Sequence, residues 1–148
     1  MLAKMLAPAA VLVVWSLVML TWMAATRLPA LAKSGAMKDA KPGGRGQDLD
    51  GVLPDTLQWK AHNYNHLMEQ PTIFYATVVI IALMGAAAAD IWAAWIYVAL
   101  RIVHSLYQAT VNIVPTRLMI FSASSLALLY LAVRAVMLTL FANPGIVA

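Results

Sequence analysis

Residues 5–26 (MLAPAAVLVVWSLVMLTWMAAT) carry no charged side chain over 22 positions. A bilayer-spanning helix needs about 20 predominantly apolar residues, and this run meets that length by itself. A signal peptide has a shorter apolar region of about 7–15 residues. Lys4 would serve as its basic start and Ala30-x-Ala32 as its cleavage site, but Arg27 and Pro29 lie between the run and that site. The segment is therefore expected to be a retained helix, with Pro8 in its first turn, where a missing N–H does no harm.

The rest of the chain has the same character. Only 11% of its 148 residues are charged and 63% are hydrophobic, and the mean hydropathy is +0.79. Soluble domains are about 25% charged, so a water-soluble domain is excluded, and so is a disordered chain. The charges are also segregated. Lys4 stands alone before residue 27, ten charges lie within 27–60, and five follow: Glu69, Asp90, Arg101, Arg117 and Arg134. The 27–60 stretch also holds five of the seven glycines, and its run KPGGRG at 41–46 reads as a flexible turn.

Beyond it the sequence predicts three more spans. One covers about 61–89, with core TIFYATVVIIALMGAAAA; one covers 90–111; one covers 116–141 after Pro115, which marks a helix start. Almost no loop separates the second and third, so they are expected to form an antiparallel hairpin. The fold class is an all-α, four-helix transmembrane bundle forming a single domain over 1–148, with both termini on one side. Arg27, Lys33, Lys38, Lys41, Arg45 and Lys60 in the long loop predict a cytoplasmic loop and periplasmic termini by the positive-inside rule. These bases stand among four acids with no basic–aromatic stripe, so no nucleic-acid partner is expected. Trp22 and Trp59 on one side and Trp92 on the other suit interfacial aromatic belts. The absence of cysteine excludes disulfides, thiolate-ligated metal and a protein thiol nucleophile.

The five late charges carry the functional question. A charge inside a span costs about 2.5–3.5 kcal/mol on insertion scales and faces a bundle interior or a water-filled cavity. At a rise of about 1.5 Å per residue, Glu69 lies about 10 Å and Arg101 about 15 Å from the long-loop side. Those depths suit an ion pair between neighbouring helices. His62, Asn65/His66 and Glu69 share one helical face, as do Arg101, His104/Ser105 and Gln108. Two polar stripes at one depth predict a polar pocket open to the long-loop side. Asp90 and Arg134 lie near the other membrane face, with Arg134 able to snorkel toward Asp90.

Three readings of the pocket stand side by side. Glu69 and Arg101 neutralise each other and fix packing. Or His62, His66, Glu69 and His104 hold a metal; this is the weakest, because diiron bundles use two Glu-x-x-His motifs plus further carboxylates, and no metal ligand is assigned. Or Arg101 and Arg117 anchor an anionic small molecule, a task for which arginine forks match carboxylates.

The runs AHNYNHLMEQPTIFY (61–75) and RIVHSLY (101–107), with Asn112 and Arg117, resemble the MAPEG family, the membrane-associated proteins of eicosanoid and glutathione metabolism, and most nearly its bacterial, largely uncharacterised branch. The resemblance covers 61–134 by motif and the first helix by position. It implies a homotrimer in the bacterial inner membrane and glutathione as co-substrate, bound between adjacent subunits toward the cytoplasmic side. It further implies a transferase or peroxidase acting on lipophilic electrophiles that arrive from the membrane lipids. Arg117 would be catalytic, stabilising the glutathione thiolate. His62, Asn65, His66, Glu69, Arg101, His104 and Tyr107 would bind substrate. Anchored on Glu69, His62 stands where active members have arginine and His66 where they have asparagine; Gln108 stands at an expected tyrosine. Those departures keep a second class open, a non-catalytic membrane protein that binds a lipid or small anion or scaffolds a partner.

Overall fold

A computed structural model describes residues 1–36, 38 and 42–142, with Leu49 described by its backbone alone. Four long helices make up the fold: α1 (Leu2–Ser34), α2 (Asp55–Met84), α3 (Ala88–Thr110) and α4 (Val114–Leu140). All four are long and apolar enough to cross a membrane. The protein is an all-α integral membrane protein, and its alternating helix directions put both ends of the bundle's chain on one face. Lys41, within the predicted 41–46 turn, lies outside the described residues.

The helix bounds differ from those predicted, and each difference has a cause. The first helix does not stop at residue 26 but runs eight residues further, through Arg27 and Pro29. A proline removes one helical donor, but Leu28, Ala30, Leu31 and Ala32 around it are ready helix formers. The operative stop is Gly35, at φ 72°, a left-handed position that glycine adopts without penalty, with Lys33 in the last turn. The second helix starts at Asp55 rather than 61, because an acid just after Pro54 suits a helix N-terminus regardless of where the apolar run begins. It ends at Met84 rather than 89, where Gly85 takes φ 101°. The connecting loop is thus 35–54, shorter at both ends than 27–60, with a single 3-10 turn over Gly46–Leu49.

Only Gly85–Ala87 join α2 to α3, so the predicted antiparallel hairpin forms. α3 and α4 are joined by Val111–Ile113, and Pro115 occupies the first turn of α4. α2 and α3 form the middle of the bundle, each packed against the other three helices; α1 and α4 flank them without touching. On α1 the buried positions Met5, Pro8, Leu12, Ser16 and Met19 repeat at three and four residues, the period of one helical face. They meet Leu67, Phe74, Val78 and Ile81 of α2 and Ala94, Tyr97 and Val98 of α3, while Leu128, Leu131 and Ala135 close the core from α4. The Phe74 and Tyr97 rings stack at 4.3 Å. Large apolar side chains such as Val14, Leu17, Leu83, Met119 and Leu126 face outward along the spans, as a lipid-exposed surface requires.

The expected Asp90–Arg134 pairing is present. Arg134 Nε and Nη2 donate to the two Asp90 carboxylate oxygens at 2.9 and 3.2 Å, and Tyr130 donates its hydroxyl at 3.2 Å. Asp90 also accepts the Ala87 N–H at 2.9 Å, half of a capping box at the start of α3. One buried carboxylate therefore ties the α2–α3 connection to α4. On the long-loop face Lys60 Nζ lies 5.2 Å from the Trp22 ring, joining α1 to α2 at the expected aromatic belt.

Candidate functional site

The predicted site residues do not gather in one pocket; they divide into a cluster and outliers. Arg101, on α3, is 0% exposed. Its Nη2 donates to the His66 carbonyl at 3.0 Å and lies 3.2 Å from His66 Nδ1. Its Nε and Nη1 have no hydrogen-bond partner in the protein. The His66 and His104 rings stack at 5.0 Å with an interplanar angle of 29°. Phe121 of α4 closes the group at 5.1 Å from His66 and 5.9 Å from His104, with the Arg101 guanidinium 5.6 Å from its ring. Charge and π-face at that distance attract one another, more strongly where water is excluded.

A cavity of about 170 Å³ opens beside these rings, lined by His66, His104, Val114, Arg117, Leu118 and Phe121. Arg117 is held by Asn112, whose side-chain oxygen accepts from Nη1 at 2.6 Å. Asn112 has φ 56°, the left-handed region in which asparagine is enriched. Its N–H also bonds the Tyr107 carbonyl at 2.9 Å. One residue thus ends α3, turns the chain and positions the cation. Asn112→Ala is expected to lose about 1–2 kcal/mol, because alanine is strained at that φ and the bond to Arg117 is gone. Asn112→Gly relieves the backbone but not the bond. A thermal melt that places the two variants at the same midpoint would put the whole effect in the side chain.

The outliers are as informative. Glu69 is exposed and makes no ion pair; among the described residues the pairs are His62–Asp50 and Arg134–Asp90. The expected Glu69–Arg101 neutralisation is therefore not formed. His62 points to Asp50 at 3.2 Å, with both side chains about half exposed. It shares a cavity of about 360 Å³ with Arg27, Arg45, Tyr64 and Asn65 at the loop edge. Arg27 Nη2 donates to the Gly46 carbonyl there, pinning the 3-10 turn to α1. Tyr107 is half-buried on α3 and lines neither cavity. The three-ligand grouping His62, His66 and Glu69 does not converge; among the described residues no group of three or more His, Asp or Glu side chains does.

The sequence reading missed Phe121, which lies four residues after Arg117 and so on the same face of α4. It also missed the polar chain in which Tyr97 donates to Gln70 at 3.3 Å and Gln70 to Ser125 at 2.8 Å. Buried next to Arg101 on α3, Ser105 Oγ and Gln108 Oε1 lack partners, as do both amide atoms of Asn63 on α2. Buried polar atoms are satisfied in the great majority of cases. Their concentration in the long-loop half of α2 and α3 marks that half as a polar interior. A roomier cavity, about 580 Å³, opens instead on the opposite face between Lys4, Trp92 and Trp95, away from every residue of the cluster.

Fold and cluster together define a class: a four-span helical membrane protein with a cationic, imidazole-lined cleft in one half of the bilayer. The MAPEG family model matches residues 5–137, nearly the whole chain, and the protein belongs to the MAPEG family. No curated protein and no solved structure matches it.

Proposed function

We propose that the protein is a glutathione-dependent transferase or peroxidase of the bacterial inner membrane, acting on lipophilic electrophiles. The observation that carries this reading is Arg101, a fully buried cation with no carboxylate partner and two idle nitrogens. A buried charge left uncompensated costs several kcal/mol, and an anionic ligand offsets that cost. Arg117 adds a second cation at the adjacent cavity. A thiol near pKa 8.5 is shifted toward thiolate beside arginine, and the thiolate is the nucleophile. With no cysteine in the chain, the sulfur comes from the co-substrate. Arg27, Arg45, His62 and Asn65 at the larger cavity supply further groups for the glutathione carboxylates.

Glu69 supports a homotrimer. An unpaired carboxylate on the outer face of a span is costly against lipid, and a second copy of the chain covers it. Protein purified in detergent should weigh three chains by light scattering and give saturable heat with glutathione in calorimetry. Arg117→Ala should weaken that binding at least tenfold. No saturable heat, or heat unchanged in Arg117→Ala, overturns the reading. The non-catalytic alternative is favoured by one observation, the engagement of His62 with Asp50 at the family's arginine position. Glutathione binding without conjugation of 1-chloro-2,4-dinitrobenzene would select it.

The basic loop supports a cytoplasmic placement of residues 35–54 with periplasmic termini. A tag inserted after Gly43, which is exposed, should resist labelling from outside intact cells and react once the membrane is opened. Labelling of intact cells would invert the topology.

A further inference from the structure

The 170 Å³ cavity has an unusual wall for a membrane interior. Three of its six lining residues present rings (His66, His104 and Phe121), one is the cation Arg117, and two are the aliphatic Val114 and Leu118. Its size decides what fits. An apolar protein cavity of about 150 Å³ holds one benzene ring, whereas drug-sized ligands take about 300–1,000 Å³. A single six-membered ring therefore matches this volume. Its open side is flanked by Val114, 59% exposed, and Leu118, 60% exposed, on α4.

The walls also select chemistry. His66, His104 and Phe121 give the cavity an aromatic wall, which suits a flat guest. Arg117 has only Nη1 engaged, by Asn112, so its fork keeps donors for a guest oxygen. Arg101 lies behind Phe121 and adds positive potential without reaching the cavity wall.

We propose that this cavity binds the ring of a lipophilic quinone, whose hydrocarbon tail remains in the bilayer beside α4. This rests on the glutathione-transferase reading and names its second substrate. A quinone is flat, carries acceptor oxygens for Arg117 and is electrophilic at ring carbon. The glutathione thiolate, its proton already released to solvent, attacks a ring carbon that bears hydrogen. A C–S bond forms, and the C=C electron pair moves through the ring onto the carbonyl oxygen facing Arg117. That oxygen takes a proton from water. The hydrogen on the attacked carbon then leaves as a proton, and its bond pair moves through the ring to the second carbonyl oxygen. That oxygen takes up a proton in turn, which completes the aromatic ring. The product is a hydroquinone thioether; the quinone supplies the oxidising equivalents, so no further oxidant or reductant enters.

Binding is separable from chemistry by choice of probe. Tetramethyl-1,4-benzoquinone has the flat ring and both oxygens, but every ring carbon open to addition is methylated. It should bind the detergent-purified wild-type protein saturably above its partition into empty micelles, without glutathione, and at least tenfold more tightly than 1,2,4,5-tetramethylbenzene, which has the same ring and methyl groups but no oxygen. Arg117→Ala should weaken it at least tenfold. So should Phe121→Leu, which keeps an apolar side chain and loses the ring; a thermal melt checks that both variants remain folded. Binding that does not exceed micelle partition, equal binding of 1,2,4,5-tetramethylbenzene, or indifference to both substitutions in folded protein overturns the proposal. The conjugation of trimethyl-1,4-benzoquinone, which keeps one ring carbon bearing hydrogen, with glutathione is then followed. Quinone binding without accelerated conjugation keeps the ring site and removes the transferase reading. Glutathione binding and dinitrobenzene conjugation without quinone binding keep the transferase reading and remove the ring site.

Discussion

Arg101→Met is expected to make the protein more stable in detergent while abolishing the glutathione binding proposed for it. Arg101 is fully buried, one of its nitrogens bonds the His66 carbonyl, and the other two bond nothing in the protein. Replacing a buried charged group by an apolar one of similar volume is often neutral or stabilising by about 1–4 kcal/mol. Methionine is unbranched and adapts to irregular gaps, so it can lie along the path of the arginine stem. For a chain of this size about 1 kcal/mol moves the melting midpoint by about 2–4 °C. A rise of several degrees is therefore expected, together with loss of glutathione heat. Arg101→Lys should keep the charge but lose the planar fork, and bind at least tenfold more weakly than the wild type. The opposite outcome has a clear meaning: a midpoint lowered by 5 °C or more in Arg101→Met would make Arg101 a structural group and remove the main support for an anion site.

Asp90→Ala is expected to be the most damaging single change in the molecule. The Asp90 carboxylate is buried and accepts four hydrogen bonds, two from Arg134, one from Tyr130 and one from the Ala87 N–H. Its removal strands a guanidinium, a phenol and a helix-terminal N–H together. Breaking a buried ion pair by deleting one partner costs about 3–5 kcal/mol, which at about 2–4 °C per kcal/mol is a loss of about 6–20 °C. Asp90→Asn retains an acceptor for Ala87 and should cost less. A double-mutant cycle with Arg134→Gln should return a coupling well above the 0.2–1 kcal/mol of exposed pairs. A fall of less than 3 °C in Asp90→Ala would show that the pair contributes little. Glutathione binding should survive Asp90→Asn, because this ion pair lies on the membrane face opposite the cationic cluster.

Why the sequence revealed one ion pair and misplaced the other is a matter of dimension. Counting residues along a helix gives depth, and depth alone brought Asp90 to Arg134 and Glu69 to Arg101. Azimuth decides whether such residues meet. On α2 the buried face is marked by Asn63, Leu67, Phe74, Val78 and Ile81. Glu69 follows Leu67 by two residues, about 200° around the helix, and so turns outward. His66 lies about 100° from Leu67 on the flank, where it reaches α3. The apolar pattern of α2 contained this, but in a chain so rich in Ala, Val, Ile and Leu the buried face cannot be told from the lipid face by hydrophobicity. Aromatic partners were hidden for the same reason. Phe121 reads as one more lipid-facing residue until α2 and α3 are placed against it. Spans and the tight hairpin were legible because they depend on charge-free length and on Asp90 standing directly after the apolar run, both local. The extension of α1 through Pro29 was not, because Arg27 and Pro29 resemble an end signal and Gly35 is the real one.

The α2–α3 connection has a bearing on biogenesis. Gly85, Ala86 and Ala87 carry no side-chain charge, and the one acid beside them is already matched by Arg134 in the folded bundle. Carrying this hairpin tip through the hydrocarbon during insertion moves three small residues and no soluble segment. With the cytoplasmic placement proposed for the 35–54 loop, its charges stay on the side from which α2 enters. The two helices can therefore be delivered as a preformed helical pair with their backbone groups internally bonded, and translocation of a polar stretch, the expensive step for most multi-span proteins, is absent from this part of the chain.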